Sequence, residues 1–309
     1  MKILFMGTPE FAIPSLEAIL SSSHEIVGVI TQPDRLGARG KKIISSPVKV
    51  FALENNLPLF QFEKINTELD TIKALKANIA VTAAYGQILS TDLINSFEKG
   101  IINVHASILP RYRGASPVQC ALLNGDDELG VSIMQTVKEV DAGDVWAIEK
   151  YTPNPLNNAV ECLDELSILG AKVLITVLNE IEKGETKPVK QDASKATFCK
   201  KIEKEDGFID FNESAQRIIN KVRAYTPWPS VYFDSKYGKI KLLKAKVADI
   251  EDTKSECGEV LEASKKGLII ACATGAIEVL FMQGEGAKSM KATDFLLGKP
   301  FEKGEIINK

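Results

Sequence analysis

Asn103, His105 and Ser107 fall on alternate residues of the stretch Ile101–Pro117, just after an apolar run. In an extended strand, residues two apart share a face. An amide, an imidazole and a hydroxyl would then converge on one spot. At the carboxyl end of a strand in an open α/β sheet, that spot faces the crevice where such sheets bind ligands. The ordinary alternative is a histidine satisfied within the core. Two more polar groups on the same face make that unfavourable, because buried polar groups need partners. The chain has only two histidines. The other, His24, sits beside Ser21-Ser22-Ser23 and reads as a surface turn residue.

Asp141 opens the turn Asp141-Ala142-Gly143-Asp144. Asp-x-Gly is a common structural turn, and it gains a chemical role only if it folds over the strand end. The carboxylate could then set the charge and orientation of the imidazole. Such a group suits acyl transfer to an amine. The imidazole and the Asn amide would stabilise a tetrahedral oxyanion, and the carboxylate would help remove a proton from the amine, directly or through water. A serine hydrolase is excluded: there is no Gly-x-Ser-x-Gly elbow, and Ser107 lies only two residues from His105.

These residues need a scaffold, and the pattern around them predicts one. Lys2–Met6 reads as a buried strand, Ile13–Ser21 as a helix and His24–Thr31 as a second strand. A strand–helix–strand opening predicts a doubly wound parallel sheet. Its first turn is not Gly-x-Gly-x-x-Gly, so a dinucleotide site has no support. Ser45-Ser46-Pro47 starts a helix to about Asn55. Leu57–Gln61 is a short strand, Asn66–Ala77 a helix and Ile79–Ala84 an apolar strand. Gly86, in Tyr85–Leu89, offers backbone that something flat could approach, or marks a plain strand-to-helix turn. Ser116-Pro117 starts a helix to Asn124. Gly130–Val137 alternates as an exposed or edge strand, with Val145–Tyr151 as its antiparallel partner. An amphipathic helix, Asn158–Glu182, closes a first domain, residues 1–183.

Residues 184–204 are polar and lysine-rich and read as a linker. Residues 205–309 carry a helix, Asn212–Ala224, and five short strands: Val231–Phe233, Lys239–Val247, Gly258–Ala263, Gly267–Ala271 and Ala276–Met282. That series suits a small OB-like β-barrel. The expected fold class is α/β: a doubly wound (Rossmann-like), mostly parallel sheet domain followed by an OB-like barrel domain. Lys236, Lys239, Lys241, Lys244 and Lys246 cluster on the barrel, as a solvated face or a nucleic-acid contact. The loop Gln32–Lys42 offers the same pair of readings, a mobile basic loop or a phosphate-backbone contact.

The bulk numbers narrow the class. With 309 residues, two domains are the default. A net charge of −3 excludes a broadly basic nucleic-acid binder and leaves only local patches. Cys120, Cys162, Cys199, Cys257 and Cys272 form no Cys-x-x-Cys pair, so no zinc-type cluster and no metal is expected. They read as reduced thiols of a cytoplasmic protein. Met1–Gly7 is too short and too soon interrupted for a signal peptide, and no apolar run is long enough to span a membrane.

Around Asn103, His105 and Asp141 the chain resembles the 10-formyltetrahydrofolate-dependent formyltransferases. The loop Ser107-Ile108-Leu109-Pro110-Arg111-Tyr112-Arg113-Gly114 is similar to that family's signature. Phe5–Ala12, the segments Thr31–Arg35, Arg39–Lys42 and Ser46–Lys49, and the region from Lys200 with Ala224–Pro229 resemble the branch that formylates charged initiator tRNA. Leu36-Gly37-Ala38 departs from the Pro-Ala-Gly often found there in the family, but Arg35, Arg39, Lys41 and Lys42 are kept. The resemblance implies Asn103, His105 and Asp141 as catalytic residues. It implies 10-formyltetrahydrofolate as co-substrate, bound near Tyr85, Gly86, Gln87, Ile88, Leu89, Ser107, Leu109, Pro110, Val137 and Val140. It further implies methionyl-initiator tRNA as acceptor, held by Arg35, Arg39, Lys41, Lys42, Lys201, Lys241 and Lys244, in a protein acting as a monomer. Rival readings are a formyltransferase for glycinamide ribonucleotide or a sugar nucleotide, and a noncatalytic RNA-binding protein built on the barrel.

Overall fold

In the computed structural model, residues 1–36, 43–250 and 254–307 are described. Along the chain run β1 (Lys2–Gly7), α1 (Ile13–Leu20), β2 (Glu25–Thr31), β3 (Arg35–Leu36), β4 (Ile43–Ile44), α2 (Pro47–Glu54), β5 (Leu59–Gln61), α3 (Leu69–Ala74), β6 (Ile79–Ala83), α4 (Thr91–Ile94) and β7 (Ile101–His105). Then come β8 (Arg113–Gly114), α5 (Pro117–Asn124), β9 (Leu129–Gln135), β10 (Val145–Tyr151), α6 (Ala159–Lys183) and β11 (Phe198–Cys199). The remainder holds α7 (Ala215–Tyr225), β12 (Val231–Ser235), β13 (Gly238–Val247), β14 (Val260–Ser264), β15 (Gly267–Ala271), β16 (Ala276–Gly284), β17 (Met290–Lys291) and α8 (Ala292–Gly298).

The contacts divide the chain into two compact units. The first comprises 1–117, 128–151 and 163–199; the second comprises 118–127, 152–162 and 200–309. The first unit is built on a seven-stranded sheet of order β10-β9-β7-β6-β1-β2-β5. The pairings from β5 to β7 are parallel, and β9 and β10 are added antiparallel. From β1 the chain winds outward through β2 and β5, then returns to β6 and β7 on the other side. That reversal is the topological switch point where doubly wound sheets open a crevice beyond their carboxyl ends. The strands are near-continuous apolar runs because both faces are covered, as parallel sheets require. Ser46 caps α2 by accepting from the Lys49 amide, with Pro47 at the first helical position.

Three expectations change here. Gly130–Val137 is no edge strand: β9 is paired on both sides and buried along nearly its whole length, and the edge is β10. Its Ser132 is satisfied inside by the backbone of Ser107 and Leu109. The stretch expected as a linker, 184–204, is folded onto the first unit as far as Cys199. Val189 bridges Val145, and Phe198–Cys199 pairs in parallel with Arg113–Gly114. His24 is no surface residue: it is buried beside Glu182, its Nδ1 3.7 Å from Glu182 Oε2. Burial holds the His24 imidazole below its usual range. The unfolded chain therefore binds the extra proton first as pH falls through about 6.5. The stability that neutral His24 contributes is present above that pH and is lost on acidification. The urea midpoint is expected to fall between pH 7.5 and 5.5 more steeply in the parent chain than in His24→Gln. Equal slopes would remove His24 as the cause.

The second unit is an antiparallel sheet of order β12-β13-β16-β15-β14, with β17 on β16. Among the described residues these pairings form an open path, with bulges in β13 at Leu242–Ala245. Helix α7 presents Ile218, Ile219 and Val222 as a buried face. Its Arg217 donates to the carbonyl of Leu123 at the end of α5, and its Arg223 to the carbonyl of Asn157. These two bonds help hold residues 118–127 and 152–162 in this unit. No helix among the described residues is long and apolar enough to cross a membrane.

Candidate active site

Strand β7 lies between β6 and β9, with Asn103 opposite Thr82 on one side and Met134 on the other, and His105 opposite Ser132. Val104 points to the other face and packs beneath α6. A Cβ placed on Gly170 would come within 2.9 Å of Val104 and 3.0 Å of Val131, so the helix lies as close as a side-chain-free residue permits. Val104 thus buries against α6, and Asn103 and His105 share the opposite face, with Ile101 packed into the core below them.

Thr82 orients Asn103. Its hydroxyl lies 2.9 Å from Asn103 Oδ1 and 3.3 Å from the Ile102 carbonyl. The shorter contact takes the single hydroxyl proton. With Oδ1 accepting, the amide presents Nδ2, a donor, as an oxyanion site requires. His105 is buried, 6 % exposed. Its Nε2 lies 3.1 Å from the Tyr112 carbonyl. A carbonyl only accepts, so Nε2 carries a proton and cannot act as a base. The remaining nitrogen, Nδ1, faces Asp141 Oδ2 at 3.8 Å. Asp141 Oδ2 also accepts the Gly114 amide at 2.8 Å. Asp141 has φ 50°, in the left-handed region that few non-glycine residues occupy. The loop is anchored at its far end, where the Gln135 amide donates to the Asp144 carbonyl. Asp141 therefore does fold over the end of β7.

Ser107 spends its hydroxyl on the Arg111 carbonyl at 2.8 Å, which supports the loop and leaves it no nucleophile's setting. Leu109 is buried with Met134 and Val145, and Pro110 is half-buried. In the loop after β6, the Tyr85 ring is buried in the core and burial pushes its phenol up to about 12. Its carbonyl accepts from Thr8 and Gln32, tying together the loops that follow β1, β2 and β6. Gln87 uses its side chain on the Ile65 amide and the Phe62 carbonyl, and Leu89 packs on the core. Gly86, at φ 90°, is exposed, as are Ile88 and Val140, while Val137 is half-buried. The exposed surface here is therefore backbone at Gly86 and apolar side chains at Ile88 and Val140. The side chains of Tyr85 and Gln87 hold the loop.

Of the basic residues, Arg35 is exposed on the β3–β4 hairpin, beside exposed Leu36, Ile43 and Ile44. Arg39, Lys41 and Lys42 lie outside the described residues. In the second unit Lys201 is exposed, and Lys241 and Lys244 are half-buried on β13. Among the described residues no group of three or more His, Cys, Asp or Glu could hold a metal. Sequence reasoning missed Thr82, the Tyr112 carbonyl and the Gly114 amide. Thr82 left a trace, as the single polar residue in Ile79–Ala83.

Residues 1–178 match the family described as "Formyl transferase". The chain belongs to the formyl transferase family. Residues 201–300 match its companion, "Formyl transferase, C-terminal domain". Among formyl transferases, a protein of Sulfurihydrogenibium sp. (strain YO3AOP1), named methionyl-tRNA formyltransferase, is 43 % identical over 309 residues, 99 % of both chains. One of the same name from Fusobacterium nucleatum subsp. nucleatum is 40 % identical over 310 residues, covering 99 % of this chain and 100 % of its own. The N-formyltransferase of Helicobacter canadensis, solved with folinic acid and dTDP-3-aminofucose, superposes with a TM-score of 0.69 at 19 % identity. That match covers 90 % of this chain and 98 % of the other, and shows shared fold.

Proposed function

We propose that this formyl transferase moves the formyl group of 10-formyltetrahydrofolate to the α-amino group of methionyl-initiator tRNA, supplying translation initiation. The observation that carries this is the end-to-end match to relatives of that name. The geometry supports it: an amide donor, a doubly engaged imidazole and a carboxylate gather at the end of β7. The amine nitrogen attacks the formyl carbon, and negative charge gathers on the formyl oxygen. Asn103 Nδ2 donates to that oxygen, and His105, on the same face of β7, helps hold the developing charge. Asp141 takes the ammonium proton, directly or through water, and orients His105. The bond from carbon to N10 then breaks, N10 takes that proton back from Asp141, directly or through water, and tetrahydrofolate leaves. No covalent bond to the protein forms.

The folate would lie along Gly86, Ile88 and Val140, framed by Tyr85, Gln87, Leu89, Ser107, Leu109, Pro110 and Val137. Arg35, Arg39, Lys41 and Lys42 would grip the acceptor stem, and Lys201, Lys241 and Lys244 the body of the tRNA. Contacts to phosphates of this kind make binding salt-sensitive. A monomer working in the cytoplasm completes the reading.

Mass spectrometry of charged initiator tRNA, incubated with the protein and 10-formyltetrahydrofolate, is expected to show addition of one formyl group. Glycinamide ribonucleotide and amino-sugar nucleotides offered in its place are expected to stay unmodified. Formylation of either one, with tRNA untouched, would overturn the reading. Replacing Arg39, Lys41 and Lys42 together by Ala is expected to raise KM for the tRNA with little change in kcat. An unchanged KM would remove the acceptor-stem role.

A further inference from the structure

We infer that Gln191 is the positioning residue for Asp141, and that the segment 187–199 is a strap that sets the active-site geometry. This rests on the role proposed above for Asp141. Gln191 is buried, 9 % exposed, in the polar stretch whose composition reads as a linker. Its side chain is fully engaged. Nε2 donates to the carbonyls of Asp141, at 2.9 Å, and Gly143, at 2.7 Å. Oε1 accepts from Arg113 Nε at 3.1 Å and from its terminal nitrogen at 2.7 Å. One amide therefore joins the loop carrying Asp141 to the segment whose next residue, Gly114, donates its N–H to the Asp141 carboxylate.

The neighbouring strap residues act on the same segment. Thr197 Oγ1 accepts the Tyr112 amide, the Thr197 carbonyl accepts the Arg113 amide, and the Thr197 amide donates to the Pro110 carbonyl. Tyr112 supplies the carbonyl that fixes His105. A Cβ on Gly114 would overlap the Cys199 carbonyl, so strap and loop are pressed together there. Asp141 and Tyr112 both have positive φ, at 50° and 61°. Such conformations persist only where the surroundings over-determine them. The strap supplies that constraint on the partners of both His105 nitrogens.

Gln191→Glu separates the two halves of the clamp. A carboxylate keeps an acceptor for Arg113, so the buried guanidinium stays paired. It loses the N–H groups that hold the Asp141 and Gly143 carbonyls. The expected result is a thermal midpoint close to that of the parent, unchanged KM values for both substrates, and kcat lower by about 10- to 100-fold. The Gly114 amide, followed by hydrogen exchange, is expected to lose protection. Gln191→Ala removes both halves and is expected to lower the thermal midpoint as well. Parent-like kcat in Gln191→Glu, or unchanged protection of Gly114, would overturn the proposal. If the parent chain transfers no formyl group to tRNA, the proposed reaction fails, and the exchange measurement alone still decides the clamp.

Discussion

Asn103→Ala is expected to lower kcat for formyl transfer by about 10²–10³, the usual loss for one oxyanion donor, with KM for the folate and the tRNA nearly unchanged. The donor acts on charge that exists only in the transition state, so its loss falls on the chemical step. The fold is expected to survive, because Asn103 is half-buried and the one contact it forfeits is the accepted Thr82 hydroxyl. That hydroxyl keeps the Ile102 carbonyl within reach. Thr82→Val is the companion variant. It frees the amide to turn and is expected to reduce kcat less than Asn103→Ala does, while Thr82→Ser restores it. His105→Ala should resemble Asn103→Ala, because it removes the other polar group that this face of β7 turns toward the reacting carbon. Single-turnover rates decide the matter: parent-like rates in both Asn103→Ala and His105→Ala would remove this face of β7 from the chemistry.

Gly143→Ala is expected to lower kcat by about 10²-fold without touching a reacting group. A Cβ at Gly143 would overlap the Gln135 carbonyl oxygen, a backbone atom that cannot swing aside. The loop must therefore move away from the end of β9, carrying Asp141 with it. Gly143 is also one of the two carbonyls held by Gln191, so the same displacement pulls on the clamp. A rise in KM alone, with kcat kept, would mean that the loop shapes a binding surface and does not place the carboxylate.

Much of the first unit's scaffold was legible, because each strand of a doubly wound sheet is a short apolar run with its own turn signals. The pairing of Asn103 with His105 was legible for a similar local reason: the two-residue period of a strand needs no knowledge of its neighbours. Asp141 was half legible, as a turn residue whose meaning depended on where the turn landed. What tertiary register decides was not legible. Thr82 meets Asn103 only because β6 and β7 align at that pair. Gln191 looked like linker because its neighbours are polar, and its burial depends on partners 78 and 50 residues away. His24 is buried although its serine-rich turn resembles surface, because Glu182, at the far end of α6, lies against it. Tyr85 and Gln87 lie where a ligand-facing loop was expected, yet their side chains point inward to hold it.

The division of the chain at 117, 127, 151, 162 and 199 bears on its modularity. The family's two matched regions follow one another in sequence, at 1–178 and 201–300, as if they were beads on a string. The folded units are interleaved instead, and the backbone passes from one to the other at five points. Neither unit can be excised or exchanged by a single cut. A fragment ending at 183 would lose the strap, 187–199, and one ending at 199 would still contain two excursions, 118–127 and 152–162, whose packing partners lie beyond its end. Recombination that preserves both units must carry those excursions together with the C-terminal region, so the two are inherited as one piece.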